Sequence, residues 1–215
     1  MTKKEKCFAV FIGCASFAIF ALILEGTCNA LILGGGRAAS LMQKPLLFGL
    51  YGGLMAGLFE ETGRFVAFKT LLKKTKEHNS TALYYGAGHA GFELLYIIIA
   101  SIISIVLTNK MQTQVEVQTP LMYILGIVER IAAITIHITL SIAVWFAAKN
   151  RKQLYLYPLA ILIHAFVDAM AGALSLMKIN AVIIELVVCI LVIPLVCFAI
   201  VLWKRNSTTK IESEV

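Results

Sequence analysis

Apolar residues run in long blocks along this chain, and the polar ones gather between them. Six blocks, at about 7–32, 46–71, 81–107, 121–148, 154–177 and 181–203, each hold the roughly 20 residues a helix needs to cross a hydrocarbon core. The runs do not alternate, so they do not read as the strands of a β-barrel. In lipid the backbone must satisfy its own hydrogen bonds, which makes six transmembrane helices the expected architecture. The pattern therefore predicts an all-α polytopic bundle, one domain over 1–205, followed by a polar tail at 206–215. No internal repeat or separate soluble domain stands out.

Composition strengthens this picture. The 215 residues are 60% hydrophobic and only 14% charged. Soluble domains carry about a quarter charged residues. A water-soluble enzyme, a disordered chain and a nucleic-acid-binding domain are excluded on that basis, and the lipid bilayer is the expected partner. Lys3, Lys4 and Lys6 precede the first apolar block, but that block is too long for a signal-peptide core, so it is expected to stay as an anchor. The five cysteines show no paired spacing and read as small packing residues. The Gly34-Gly35-Gly36 run reads as a turn.

The net charge of +7 matters less than its placement. One set of segments holds thirteen basic residues, from Lys3, Lys4 and Lys6 through Lys69, Lys73, Lys74, Lys76, Lys149, Arg151 and Lys152 to Lys204, Arg205 and Lys210. The opposite set holds Arg37, Lys44, Lys110 and Lys178. The positive-inside rule then expects both termini in the cytoplasm; the membrane itself is expected to be a bacterial-type plasma membrane.

Ionisable residues inside apolar spans cost about 2.5–3.5 kcal/mol each and mark functional sites. Here they are grouped. The second block carries Glu60, Glu61 and Arg64. Glu60 and Arg64 lie one turn apart and are expected to pair, leaving Glu61 to point elsewhere. Gly49, Gly53 and Gly57 lead to Glu61 at intervals of four, a stripe along which another helix can approach. The third block has His89 and Glu93 four apart in a Gly-rich run that is expected to admit substrate. The fifth has His164 and Asp168 at the same spacing. The fourth has Glu129, Arg130 and His137. At about 1.5 Å per residue, His89 lies about 12 Å from the basic end, His164 about 15 Å, and Glu61 and His137 about 16 Å. A polar cavity in the cytoplasmic half is expected. Carboxylates can take a proton from water, and imidazoles can stabilise an oxyanion or hold Zn²⁺. Proton relays use the same residue types, so a proton-coupled transporter and a non-catalytic immunity or scaffold protein are the alternatives. Tyr84, Tyr85, Trp145 and Trp203 read as interface anchors or packing, and Glu25 and Glu185 as groups snorkelling to the interface.

Glu-Glu-x-x-Arg at 60–64, His-x-x-x-Glu at 89–93, Glu-Arg at 129–130 with His137, and His-x-x-x-Asp at 164–168 together resemble the YhfC family of intramembrane proteases. That family is related to PrsW and, more distantly, to the CAAX prenyl protease and bacteriocin-processing group. The resemblance covers roughly Tyr51 to Ala171. It implies a peptidase acting on membrane-associated substrates. It casts Glu60 and Glu61 as the water-activating pair and His89 and His164 as oxyanion stabilisers. Arg64, Glu93, His137 and Asp168 would be supporting residues. In a metalloenzyme, His89, His164 and Glu93 would be the ligands. CAAX-type members have Asn where this chain has Asp168, so prenylated substrates are not implied.

The charge count gives the first prediction. A fluorescent protein fused after Val215 should mature and fluoresce, whereas alkaline phosphatase at the same place should stay inactive; the reverse pattern would invert the orientation.

Overall fold

The computed structural model describes residues 1–75, 77–110 and 119–212, with the side chains of 108–110 and 208–212 left aside. Lys76 and the last three residues of the expected tail lie outside the described residues. Among the described residues the fold is all-helical: α1 (Lys3–Leu33), a short α2 (Arg37–Met42), α3 (Pro45–Lys69), α4 (Thr81–Lys110), α5 (Pro120–Lys149), α6 (Leu156–Leu176) and α7 (Ala181–Glu212). It is a polytopic membrane bundle. The six sequence blocks correspond to α1 and α3–α7. Helix α7 continues to Glu212, through Asn206 and Ser207 of the expected polar tail.

Five of these helices, all but α2 and α3, are long and apolar enough to cross a membrane. The hydropathy blocks predict α3 as a sixth span, but by length and composition together it is not among the five. Its 25 residues reach about 37 Å, enough in length. Its charges set it apart, and the fold disposes of them by turning Glu60, Glu61 and Arg64 inward, where they are buried.

One end of the bundle gathers the basic residues. Asn79, between α3 and α4, accepts from Lys149 Nζ at 2.9 Å and Trp145 Nε1 at 3.3 Å. Ser80 Oγ lies 3.5 Å from Met1 Sδ. Gln153 donates to Asn206 Oδ1 at 2.9 Å, tying the α5–α6 turn to α7. At the other end, Gly35 and Gly36 take φ of 66° and 84°, the left-handed turn between α1 and α2 that glycine alone enters without strain.

Two close helix contacts position the site. Along α3, a Cβ placed on Gly49, Gly53 or Gly57 would meet the backbone oxygens of Ala169, Ala165 and Ile161 at 2.4, 2.2 and 2.7 Å. The glycine stripe thus packs against α6 and brings His164 to Glu61. Across α1 and α4, the corresponding Cβ of Gly13 would lie 2.2 Å from Tyr85 O, and that of Gly88 2.1 Å from Val10 O. The Gly-rich run around His89 therefore admits helix α1, not substrate, at Gly88; Gly86 faces Ser141 and Ile138 of α5. Tyr85 and Trp145 are buried packing residues, not interface anchors. In α1 the turns widen to π-helix over Phe17–Glu25, starting where the Phe17 ring meets His89 edge-on at 5.1 Å.

Gly53→Val should lower stability by about 2–3 kcal/mol, because overpacking meets backbone that cannot yield. Gly52→Val, where a Cβ meets nothing within 4 Å, should cost only about 1 kcal/mol or less, as expected of a helix position with open space beside it. Denaturation in mild detergent compares them. Equal losses would contradict the packing.

Candidate active site

Glu60 stands at the centre. It comes from α3, and its Oε2 lies 2.8 Å from His89 Nε2 of α4, 3.8 Å from His137 Nδ1 of α5 and 4.0 Å from His164 Nε2 of α6. The ring centroids are 5.0 Å apart for His89 and His137 and 5.3 Å for His137 and His164. One carboxylate thus faces imidazoles from three other helices.

Around this centre a second group of charges holds the imidazoles. Arg64 Nη1 grips both oxygens of Glu61, at 2.7 and 2.8 Å. Glu61 Oε1 in turn meets His164 Nδ1 at 2.7 Å. Arg64 Nη2 reaches His137 Nδ1 at 3.2 Å. Glu93 Oε2 meets His137 Nε2 at 2.6 Å, and Arg130 Nη1 donates to Glu93 Oε1 at 3.0 Å. Arg130 also pairs with Glu129. Asp168 Oδ2 lies 3.4 Å from His164 Nε2 and is one of the more exposed groups of the site.

The i, i+4 pairs expected from spacing are only partly realised. His164 and Asp168 meet. Glu60 does not pair with Arg64: the guanidinium bends back to Glu61, three residues away, which also lies on the same face of a helix. Glu61 is thereby the carboxylate held by Arg64, and Glu60 the one that meets His89. Glu93 does not meet His89 but faces α5, where His137 and Arg130, seven residues apart, both reach it. Glu25 does not snorkel alone: it accepts from Asn29 at 3.2 Å, and Asn29 accepts from Tyr51 at 2.7 Å, joining α1 to α3.

A cavity of about 120 Å³ opens beside the cluster, lined by Glu60, Glu93, Glu129, Arg130, His137, His164 and Asp168 with apolar Ala133, Ile136, Val167, Ala171 and Val188. It leads from the imidazoles toward the end of the bundle opposite the basic one, since Glu129, Ala171 and Val188 lie farther from that end. This is a polar pocket walled by apolar helices.

The same donors can be set against the needs of a metal. Glu60, His137 and His164 each offer one ligand atom, all within 4.8 Å of one another. Two histidines and one glutamate form a recognised catalytic zinc set, whose ligands stand about 3.4 Å apart on a tetrahedral ion. Each of these imidazoles turns one nitrogen to the centre and the other to a carboxylate, Glu93 for His137 and Glu61 for His164, the arrangement that orients metal-binding histidines. The residues fit. The set shares only His164 with the His89, His164 and Glu93 expected from sequence, because Glu93 lies behind His137 and His89 Nε2 already bonds Glu60.

Comparison with known proteins gives the chain a family. The family model for the YhfC intramembrane metalloprotease matches residues 2–191. The chain belongs to the YhfC family. It is 35% identical over 186 residues to the "Uncharacterized membrane protein YhfC" of Bacillus subtilis (strain 168), covering 75% of this chain and 70% of that one. No solved structure matches the chain. The YhfC match spans all four motif pairs, and the cluster they form lies wholly inside it.

Replacing Arg64 by Met should cost about 3–5 kcal/mol, because Glu61 would keep a buried charge without its partner. Lys69→Met, on the same helix but exposed, should change stability by less than about 0.5 kcal/mol. Chemical unfolding in detergent measures both; equal effects would refute the clamp.

Proposed function

We propose that this protein is an intramembrane peptide hydrolase. The observation that carries the proposal is the single carboxylate of Glu60, facing three imidazoles from three other helices at the wall of a polar cavity. A peptide bond needs a base for the attacking water, a group to stabilise the tetrahedral oxyanion and a proton for the leaving amine. This cluster supplies candidates for each.

In the proposed mechanism Glu60 takes the proton of a water molecule in the cavity. His89 fixes the Glu60 carboxylate through Oε2. His164 lies between Glu61 at Nδ1 and Asp168 near Nε2, so it can hold a proton and pass it to the leaving nitrogen. Glu61, locked by Arg64, orients His164 and is not itself the base. Buried helices keep the bulk of the water away, which strengthens every charge interaction in the pocket. Where a metal is bound, Glu60, His137 and His164 would serve as its ligands in place of the base and acid roles above, and it would supply Lewis-acid polarisation and a more acidic water; Zn²⁺ suits these donors.

Substrates in this proposal are membrane-associated polypeptides, because the site lies among lipid-facing helices. The basic end would face the cytoplasm of a bacterial-type cell, with both termini there.

The test is cleavage of a panel of transmembrane reporter fusions by the purified protein in liposomes. Glu60→Gln and His164→Ala should each reduce cleavage at least about 100-fold, the range for losing a general acid or base. His78→Ala, in the connection between α3 and α4 and outside the cluster, should leave it unchanged. Chelator treatment followed by Zn²⁺ should abolish and restore activity if the metal set is used. Full cleavage by both site variants would overturn the proposal.

A further inference from the structure

Arg130 lies on α5 seven residues before His137, and the two side chains meet the same carboxylate from opposite sides. Arg130 Nη1 donates to Glu93 Oε1 at 3.0 Å, and His137 Nε2 lies 2.6 Å from Glu93 Oε2. Glu93 comes from α4, so the three residues close a bridge between two helices immediately behind the site. Arg130 also holds Glu129 and lines the cavity, but it touches neither Glu60 nor the other two imidazoles.

The proton on His137 follows from donor counting. A guanidinium has donors and no acceptor. Arg64 Nη2 reaches His137 Nδ1 at 3.2 Å, so while the ring is held facing it Nδ1 is the accepting nitrogen and a neutral ring carries its hydrogen on Nε2; a ring free to turn away from Arg64 would lose that constraint. That hydrogen points at Glu93 Oε2. The terminal torsion of a glutamate is broad and gives the carboxylate little preference of its own. What sets its plane here is Arg130 on the far oxygen. We infer that Arg130 is a positioning residue for the site: by fixing the Glu93 carboxylate it holds the His137 ring with Nδ1 toward Glu60 and Nε2–H turned away. The inference rests on His137 belonging to the proposed site, and it gives Arg130 a role beyond joining helices.

The experiment is ¹⁵N NMR of the histidine rings in the metal-free, full-length protein in bilayers. The chain has four histidines, so His137→Asn assigns the signal of interest. In the unaltered protein His137 should show hydrogen on Nε2 and a bare Nδ1. Arg130→Met should turn that into a mixture of tautomers while the His89 and His164 signals keep their shifts. Arg130→Lys, a shorter point donor, should restore the single tautomer in part. In a Glu93→Leu background, which leaves no acceptor for either partner, Arg130→Met should add no further change at His137, because the link is already cut. An unchanged His137 in Arg130→Met would overturn the inference. So would a shift of all the buried histidines together, or an equal effect of Arg130→Met with and without Glu93. None of these readings needs peptide cleavage, so failure of the proposed hydrolase activity and failure of this positioning role are separate results.

Discussion

A guanidinium buried among membrane helices must be neutralised where it stands, and Arg64 is fully buried. Its side chain cannot shed its proton and cannot reach water. The fold answers with Glu61, gripped by two hydrogen bonds from one Arg64 nitrogen, and with the bare nitrogen of His137. Much else follows from that clamp. Once Glu61 is committed to Arg64 and His164, Glu60 on the adjacent position faces the other way, toward His89. The helices that bear these groups, α3, α4, α5 and α6, are then held at one level by their polar side chains and at one distance by small residues. A single buried cation thereby decides which of two neighbouring glutamates faces the three imidazoles.

In the proposed mechanism the arrangement separates holding from reacting. Glu61 and Asp168 lie against His164 and Glu93 against His137, and both rings turn one nitrogen toward Glu60. Carboxylates of this kind set ring orientation whether the centre takes a metal or only water. The exposed end of the cluster is at Asp168 and Glu129, where the cavity opens, so burial falls off from the protein interior toward the place where a substrate would come in. Membership of the YhfC family gives this geometry its context, and the cavity gives the proposed chemistry its room.

The architecture was largely legible in the residues themselves. Hydropathy placed the long helices to within a few residues, except at the end of α7, which runs on from 203 to Glu212, and the Gly49, Gly53 and Gly57 stripe marked a close helix contact, which is that of α3 with α6. Polar residues at helix depth named the site. Their partners were less legible. A spacing of four would pair Glu60 with Arg64 and His89 with Glu93, yet a spacing of three serves as well, and which is used depends on neighbours from other helices. His89 competes for Glu60, and His137 and Arg130 for Glu93. Those neighbours are set by helix rotation, which one sequence does not encode locally. The same reason hid the function of the glycines near His89: a bare backbone invites any close partner, and here the partner is α1. Helix α3 shows a further limit, since its charged residues lower its apolar character while its burial in the bundle makes that harmless.

The most direct measurement is solid-state NMR of the protein in lipid bilayers with ¹³C on glutamate carboxyls and ¹⁵N on histidine rings. Strong carboxyl-to-imidazole dipolar couplings are expected for His89, His137 and His164, and none of comparable strength for His78. In Glu60→Gln, where an unlabelled amide replaces the labelled carboxyl, the His89 coupling should fall to the level of His78. Weak couplings at all four rings, equal to that of His78, would contradict the convergence of these groups on one centre.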